Sequence, residues 1–298
     1  MKRPRIVIPA APQFDFLQTV HSHGWLMLSP FSWDAEGDRL QYVYQTGSGD
    51  VQRLQICAAE GGLRVDLPDC PQINPQLEAE VAAAVKRMLN TDWDLSAFYA
   101  AMRAYEGYDW LEAERRGRIL TAPSLWEDLA KVLLTTNCNW AQTVNMCRNL
   151  CQLGATHPRI EGCQAFPSPQ RIADMDFEEM AEAVRAGYRN AYLYELAQKI
   201  ASGALDLAAW QSLDSDSLFK AVKALKGFGD YAAGTVARMM GHFDRIAIDT
   251  ACHAMFAATH NEGAKADAKT IAAHYEGFGD WRGLVLWMDI MRYYATVN

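Results

Sequence analysis

The sequence predicts an α+β fold, with a small antiparallel β-rich N-terminal domain at residues 1–75 and a large all-helical region at residues 76–298. Short apolar runs separated by glycine-rich turns occupy the first part of the chain. From about Asn74 onward the apolar residues recur with helical spacing instead. No internal repeat or long linker separates the two parts, so we expect one compact globule of subdomains.

Three short, partly alternating apolar runs predict the strands of the N-terminal domain. They lie at residues 25–28, 40–46 and 51–56. Turns are predicted at Gly37, at the Gly-Ser-Gly-Asp segment 47–50 and at Gly61-Gly62, because glycine adopts the backbone angles that tight turns require. The runs on either side of residues 47–50 therefore form a predicted hairpin.

The helical region begins with a run rich in helix-forming residues, and Asp94 is expected to cap the next helix. Pro167 and Pro169 interrupt the pattern at a loop. The spacing of apolar residues predicts helices at residues 77–89, 94–105, 124–136, 140–153, 177–186, 190–202, 215–225, 230–240, 250–259, 265–275 and 280–296.

The net charge of −8 argues against a nucleic-acid partner, because such domains usually have a pI above about 9. The distribution of charge weakens that argument. Residues 76–114 carry eight acidic and three basic side chains, whereas residues 217–245 carry five basic and two acidic ones. The second segment provides a local basic surface that would bind DNA in a salt-dependent manner.

The composition predicts a cytoplasmic protein. No apolar run approaches the roughly 20 residues that span a bilayer, and the short apolar segment after the basic N-terminus does not resemble a signal peptide. Seven cysteines without a Cys-x-x-Cys pair indicate reduced, mostly buried thiols. The histidines show no metal-ligand spacing, so we assign no metal.

The segment Leu225-Lys226-Gly227-Phe228-Gly229-Asp230 predicts a tight helical hairpin at about residues 217–240. A helix ends near Leu225, and a second helix begins near Asp230, which is placed to cap it. The glycines allow close approach of the backbone, and free amides at a helix N-terminus form a natural phosphate site. Taken alone, Gly-x-Gly is more typical of a plain helical hairpin with a glycine cap.

Asp249 follows an apolar segment and lies twenty positions after Gly229, at the start of another predicted helix. By itself this position is typical of an ordinary N-cap. The hairpin and Asp249 at this spacing are much more specific together than either is alone.

These features resemble the helix-hairpin-helix base excision DNA glycosylase superfamily, whose members carry a hairpin followed by an essential aspartate. Three further segments are similar to the branch that contains 8-oxoguanine DNA glycosylase and 3-methyladenine DNA glycosylase II. They are residues 133–140, Phe166-Pro167-Ser168-Pro169, and residues 186–192 with the sequence Ala-Gly-Tyr-Arg-Asn-Ala-Tyr. The resemblance covers about residues 115–298 and implies the pair of helical domains typical of this family, abbreviated HhH-GPD.

The resemblance assigns the catalytic role to Asp249. Cleavage of the glycosidic bond builds positive charge on the sugar, and a nearby carboxylate stabilises that charge and orients water. Members that also cut the strand carry a lysine at the position of Tyr231, where it forms a Schiff base. Tyrosine forms no imine, so the resemblance implies a glycosylase without lyase activity. Lys226 replaces the usual hairpin proline and is expected to contact phosphate.

The remaining assignments also follow from the resemblance. Asn137 matches the residue that enters the gap left by a flipped base, although it could also serve only to end a helix. Arg189 is placed near the DNA, and the hairpin residues Lys226, Gly227, Phe228 and Gly229 are expected to bind its backbone. The expected base pocket consists of Tyr231, Trp140 and Trp287, although the spacing of Trp287 is more typical of a core residue.

No cofactor is expected. Only Cys252 follows Asp249, so the iron–sulfur cluster of other branches has no ligand set here. The hairpin itself could hold a monovalent or divalent cation.

Three functional hypotheses follow. The first is removal of an alkylated purine such as 3-methyladenine from double-stranded DNA, since an aromatic at position 231 suits an electron-poor base. The second is removal of 8-oxoguanine by an enzyme without the lysine. The third is a non-catalytic hairpin protein that recognises DNA shape, which the acidic net charge favours.

Overall fold

The computed structural model describes residues 5–297 and confirms the predicted α+β fold. One antiparallel five-stranded sheet occupies the N-terminal part, with the strand order β1-β5-β4-β3-β2. The strands are β1 (Arg5–Pro9), β2 (Phe31–Asp34), β3 (Arg39–Gln45), β4 (Val51–Ala59) and β5 (Gly62–Asp66).

The hairpin predicted around residues 47–50 joins β3 and β4. The Thr46 amide donates to the Asp50 carbonyl at 2.8 Å, and Gly49 takes a positive φ of 92° that the turn requires. One face of the sheet is buried, which the alternation along β4 and β5 reflects. The predicted hairpin is confirmed.

The strand predicted at residues 25–28 is wrong, because this segment forms a short 3₁₀ helix at Gly24–Met27. The indole of Trp25 is buried and donates to Asp128 Oδ1 at 2.7 Å. A run of four apolar residues does not distinguish a strand from another buried segment. The tertiary contact of Trp25 decided the outcome.

The helices follow the predicted pattern closely from residue 75 onward. Two further 3₁₀ helices lie at Ala209–Ser212 and Gly279–Trp281. The helices of the described residues are α1 (Phe16–Val20), α2 (Pro75–Leu89), α3 (Ser96–Met102), α4 (Trp110–Ala113), α5 (Leu125–Thr135), α6 (Trp140–Cys151), α7 (Pro169–Ala173), α8 (Phe177–Val184), α9 (Arg189–Ala201), α10 (Ser215–Lys223), α11 (Asp230–Met239), α12 (Thr250–His260), α13 (Ala268–Glu276) and α14 (Arg282–Val297).

Side-chain caps explain why these helix boundaries could be predicted from the sequence. Asn74 caps α2, Ser124 caps α5 and Asn139 caps α6, each by accepting from a backbone amide of the first turn. The cap predicted at Asp94 is wrong, because α3 begins after Leu95 and has no side-chain cap. The short helices α1, α4 and α7 were missed because one turn gives no measurable periodicity.

The chain divides into two compact units that do not follow the predicted boundary at residue 75. Unit 1 comprises residues 1–94 and 118–207, and unit 2 comprises residues 95–117 and 208–298. The change from strand to helix does occur between β5 and α2, near residue 75. The sheet and the helices α5 to α9 nevertheless belong to the same unit.

Unit 1 is built around α5, which is buried along most of its length. Glu127 and Lys131 of α5 form a fully buried ion pair at 2.6 Å, and Tyr42 of β3 donates to Glu127 at 2.5 Å. Such a buried pair is tolerated because each charge has hydrogen-bonding partners. These bonds connect the sheet to the helices.

Unit 2 combines α3 and α4 with α10 to α14. The Asp289 carboxylate of α14 accepts from the hydroxyls of Tyr108 at 2.9 Å and Tyr275 at 2.8 Å. The ring of Phe98 also packs against Trp281. These contacts explain why residues 95–117 belong to the C-terminal helices.

None of the helices in the part of the chain that the structure describes combines the length and apolar character needed to cross a membrane.

Candidate active site

The predicted helical hairpin is present in unit 2, between α10 and α11. Gly227 has a φ of 87°, a conformation that other residues rarely adopt, and the Phe228 amide donates to the Leu225 carbonyl at 3.2 Å. Phe228 is buried and anchors the turn, whereas Lys226, Gly227 and Gly229 are exposed. The turn therefore presents its backbone to solvent next to the N-terminus of α11.

The helix cap predicted at Asp230 is wrong. Gly229 is the N-cap of α11, without a side-chain bond, and Asp230 is the first helical residue. The Asp230 carboxylate instead accepts from Lys223 Nζ at 2.5 Å. This ion pair spans the hairpin and leaves the helix N-terminus without a side-chain cap, so its first amides remain available to an anion.

Contacts with α14 and α10 anchor the segment that leads to Asp249 within unit 2. The Gly283 amide and the Arg282 guanidinium of α14 donate to the carbonyls of Phe243 at 2.7 Å and Asp244 at 2.6 Å. Arg245 pairs with Asp216 at the start of α10. Both anchors precede Asp249, so they determine where this residue enters α12.

Asp249 is the N-cap of α12 and is half-buried. Its Oδ1 accepts from the Cys252 amide at 2.8 Å. This bond uses one of the roughly four acceptor positions of a carboxylate, so the group retains capacity to bind water or face a positive charge. The cap and the catalytic role are therefore compatible.

Cys252, one turn into α12, is not a nucleophile. The thiol is fully buried, and burial together with the charge of Asp249 raises its pKa to about 12. The reactive form of cysteine is the thiolate, which this environment excludes at neutral pH.

One face of α11 is directed at the segment before Asp249. A Cβ at Gly234 would lie 3.1 Å from the Ile246 carbonyl oxygen and 3.3 Å from Ala247 Cβ. Tyr231, Thr235 and Arg238 share this face, because residues three or four apart lie one above another on a helix. The absence of a side chain at Gly234 thus brings α11 and the Asp249 segment together.

Arg238 is a residue that the sequence analysis missed. It is only 2% exposed, and the guanidinium stacks on the indole of Trp287 at 4.4 Å from the ring centroid. Burial lowers the pKa of Arg238 to about 10, while the neighbouring Tyr231 and Asp249 act in the opposite direction. Its position seven residues after Tyr231, two helical turns, is the signal that identifies it.

Asn137 and Arg189, the two residues of this region predicted to contact DNA, lie close together in unit 1. Asn137 is exposed, has a positive φ of 48° and donates to the Tyr188 hydroxyl at 3.1 Å. Arg189 is buried, and its guanidinium donates to the carbonyls of Thr136, Asn137 and Ala186. The structure thus gives Arg189 a positioning role for the loop of Asn137, and its contact with DNA stays a prediction.

Trp140, predicted in the base pocket, is an exposed residue at the start of α6 in unit 1. Its indole Nε1 donates to Met27 Sδ at 3.4 Å, and the ring covers Gly24 so closely that a Cβ there would overlap it. Tyr231, Trp287 and Asp249 lie in unit 2. The pocket role of Trp140 stays a prediction.

No group of three or more histidine, cysteine, aspartate or glutamate side chains is placed to hold a metal ion within residues 5–297. The expectation that the protein needs no cofactor stays a prediction.

The profile of the HhH-GPD superfamily of base excision DNA repair proteins matches residues 130–278. No curated protein sequence gives a significant match. Among solved structures, the chain is similar to MBOgg1 in complex with a low-affinity DNA ligand, with 17% identity, a TM-score of 0.76 and coverage of 100% of both chains.

Two further structures have the same fold. The apo 8-oxoguanine glycosylase/lyase of Clostridium acetobutylicum is 17% identical, with a TM-score of 0.73 and coverage of 98% of this chain and 97% of that one. The 3-methyladenine DNA glycosylase of Archaeoglobus fulgidus is 13% identical, with a TM-score of 0.69 and coverage of 97% and 99%. The profile spans half of the chain and includes both the hairpin and Asp249. The chain belongs to the HhH-GPD superfamily of base excision DNA repair proteins.

Proposed function

We propose that this protein is a monofunctional DNA glycosylase that hydrolyses the N-glycosidic bond of a damaged purine, with Asp249 as its essential carboxylate. The single observation that carries the proposal is the placement of Asp249. It is half-buried at a helix N-terminus, and the segment before it packs against the second helix of the hairpin. Membership in the superfamily supports glycosylase activity and DNA binding in base excision repair.

The proposed step is a hydrolysis. The bond between C1′ and the base nitrogen breaks, and its electron pair leaves with the base while positive charge develops on the sugar. The Asp249 carboxylate stabilises that charge and orients a water molecule, whose oxygen forms the new bond to C1′. The water loses one proton to solvent as its hydroxyl binds C1′, and a neutral purine takes up one proton as it leaves, so the products are the free base and a sugar with a hydroxyl at C1′.

A lyase step is not part of the proposal, because Tyr231 stands where the Schiff-base lysine would be needed. Two lysines lie near the turn, but neither occupies the position of the Schiff-base lysine. Lys223 is paired with Asp230, and Lys226 is exposed on the turn itself, where its charge suits phosphate.

The proposed DNA site is the exposed turn of the hairpin. Phosphate contacts by backbone amides at a helix N-terminus need no basic surface over the whole protein, so they are compatible with a net charge of −8. The expected form is a monomer in the cytoplasm, acting on the nucleoid. Binding to duplex DNA should weaken steeply as salt concentration rises.

Two classes of base are candidates. The aromatic Tyr231 favours an alkylated purine, as expected for an electron-poor ring. The buried guanidinium of Arg238 favours a neutral, oxidised or deaminated purine. The two classes differ in the charge of the base, which makes them separable by experiment.

The decisive experiment is chromatographic measurement of free bases released from methylated, oxidised and deaminated duplex DNA by wild type and Asp249→Asn. Asparagine is a good N-cap, so α12 should remain folded while the charge is lost. Release by wild type and at least about a hundredfold less by Asp249→Asn supports the proposal. Equal release by both proteins would refute the role of Asp249. Tight duplex binding with no release from any DNA would support a non-catalytic hairpin protein.

A further inference from the structure

Arg238 is a buried guanidinium, and two of its three nitrogens lack a hydrogen-bond partner among the described residues. These two nitrogens are Nε and Nη1, which are buried and donate to no group in the described chain. Burial of a charge without a partner costs desolvation free energy, so a protein that retains one gives up stability for it. The guanidinium remains protonated at neutral pH despite burial, since its pKa is about 10. The fold therefore keeps a full positive charge beneath the proposed site.

Thr235 repeats this feature one turn earlier on the same helix face. Its hydroxyl is also buried without a hydrogen-bond partner among the described residues. Unpaired buried polar side chains are rare in folded proteins, and two on one face of one helix indicate an environment arranged for something other than stability. The face that carries them packs against the segment leading to Asp249.

The stacking of Arg238 affects what Trp287 can recognise. An aromatic ring attracts cations through the negative charge of its faces. The guanidinium of Arg238 already lies over one face of Trp287, at 4.4 Å from its centroid. The positive charge on one side of the ring makes the opposite side a poor surface for a second cation. A purine made cationic by methylation is such a cation.

The two classes of damaged base make different demands on the site. A neutral purine leaves with the electron pair of the broken bond, so the base becomes negative while the sugar becomes positive, and the base then takes up a proton. A purine made cationic by ring methylation leaves as a neutral molecule and places only positive charge in the site. A carboxylate together with a guanidinium matches the first charge distribution and opposes part of the second.

On the basis of the function proposed above, we propose that Arg238 is a specificity-determining residue that selects neutral damaged purines, oxidised or deaminated, over cationic alkylated ones. Asp249 stabilises the charge on the sugar, and Arg238 acts through its own charge on the departing base. The substrate class is therefore set by a side chain buried beneath the site, on the second helix of the hairpin.

The test compares wild type with Arg238→Met and Arg238→Lys on three duplexes, which contain 8-oxoguanine, hypoxanthine or 7-methylguanine. Methionine has a similar length without the charge, and lysine restores the charge. Arg292→Met is the matched control, because Arg292 stacks on Trp110 at 4.6 Å in the same unit but is exposed. Single-turnover release of each base is measured, together with thermal unfolding of each protein.

We expect wild type to release a neutral base faster than 7-methylguanine. Arg238→Met should lose about tenfold or more of the neutral-base rate, with no loss for 7-methylguanine, and Arg238→Lys should recover part of it. Arg292→Met should keep the wild-type ratio. A wild-type preference for 7-methylguanine, or an unchanged ratio in Arg238→Met, would overturn the inference and leave the glycosylase proposal intact. Absence of release from every duplex by wild type would instead overturn the proposed function.

Discussion

Gly234 and Ile246 are so close that any side chain at position 234 would crowd the backbone before Asp249. A Cβ built on Gly234 lies 3.1 Å from the Ile246 carbonyl oxygen, a separation tighter than nine in ten real Cβ contacts. The relationship matters because the two residues belong to different elements, α11 and the segment that enters α12. The distance between them sets the position of Asp249 relative to the hairpin.

Gly234→Ala should therefore reduce base release. Relief of the contact requires a shift of a few tenths of an ångström, and small misplacements of a catalytic group lower the rate, here by about threefold to tenfold. Gly277→Ala is the control, since a Cβ there meets nothing within 4 Å. Single-turnover rates of both variants give the comparison. Equal rates for Gly234→Ala and wild type would show that this contact does not position Asp249.

Tyr231→Lys should gain a covalent reaction with DNA that wild type lacks. A lysine at this position lies beside the charged Arg238, which lowers the pKa of an amine and makes it a nucleophile. Borohydride reduction on DNA with an abasic site should trap Tyr231→Lys and leave wild type and Tyr231→Phe free. Trapping of the wild-type protein would contradict the proposed absence of lyase activity.

Arg189→Met should destabilise unit 1 and loosen the loop of Asn137. The substitution leaves the backbone carbonyls of Thr136 and Asn137 without their guanidinium donor, which costs about 1 to 3 kcal/mol. Arg148→Met, at an exposed position of α6, should change the free energy of unfolding by less than about 0.5 kcal/mol. Urea unfolding measures both. A neutral Arg189→Met would show that the loop holds itself without this side chain.

Asp69→Asn should destabilise the protein at neutral pH and have little effect in acid. Arg53 donates to both carboxylate oxygens, at 2.6 and 2.9 Å, and this pairing lowers the pKa of Asp69 below its usual value. The folded state therefore binds this proton less readily than the unfolded state. The stability that ionised Asp69 contributes is fully present above about pH 4, the pKa range of an unfolded aspartate. It disappears as the pH falls through the lowered pKa of the folded state.

The measurement for Asp69 is urea unfolding at pH 7 and at about pH 2.5. The difference between wild type and Asp69→Asn should be about 1 kcal/mol at pH 7 and smaller in acid. Asp92→Asn, an exposed residue 3.8 Å from Lys86, should show no difference at either pH. A difference for Asp69→Asn that grows in acid would contradict the assignment.

Arg238→Met should raise the stability of the free protein while it impairs function. Removal of an unpaired buried charge in favour of an apolar side chain of similar length typically stabilises by about 1 to 2 kcal/mol. Thermal unfolding without DNA measures the effect, and Arg292→Met provides an exposed comparison. Destabilisation by more than about 1 kcal/mol would show that Arg238 serves the fold itself.

Much of the molecule was predictable because the signals are local. Caps such as Ser124 and Asn139 bond to amides three residues away, so they mark helix starts in the sequence itself. Gly227 of the hairpin turn has a positive φ that few other residues adopt, so the glycine itself marks the turn. Tyr231 can be compared directly with the lysine of the lyase members, because the comparison needs only the sequence. The family assignment rested on these short motifs and their spacing, and the profile match confirmed it.

Other features depended on residues far apart in the chain. Trp25 leaves the predicted strand because its indole bonds to Asp128, and residues 95–117 join the C-terminal helices through the bond of Tyr108 to Asp289. Arg238 looks like an ordinary helix residue until α11 packs against α14 and buries it beneath Trp287. Hydrogen bonding between near neighbours is encoded locally, whereas the burial of a charge is decided by which distant elements pack around it. The sequence alone determined the fold class and the candidate carboxylate, and the tertiary structure decided which charge accompanies that carboxylate.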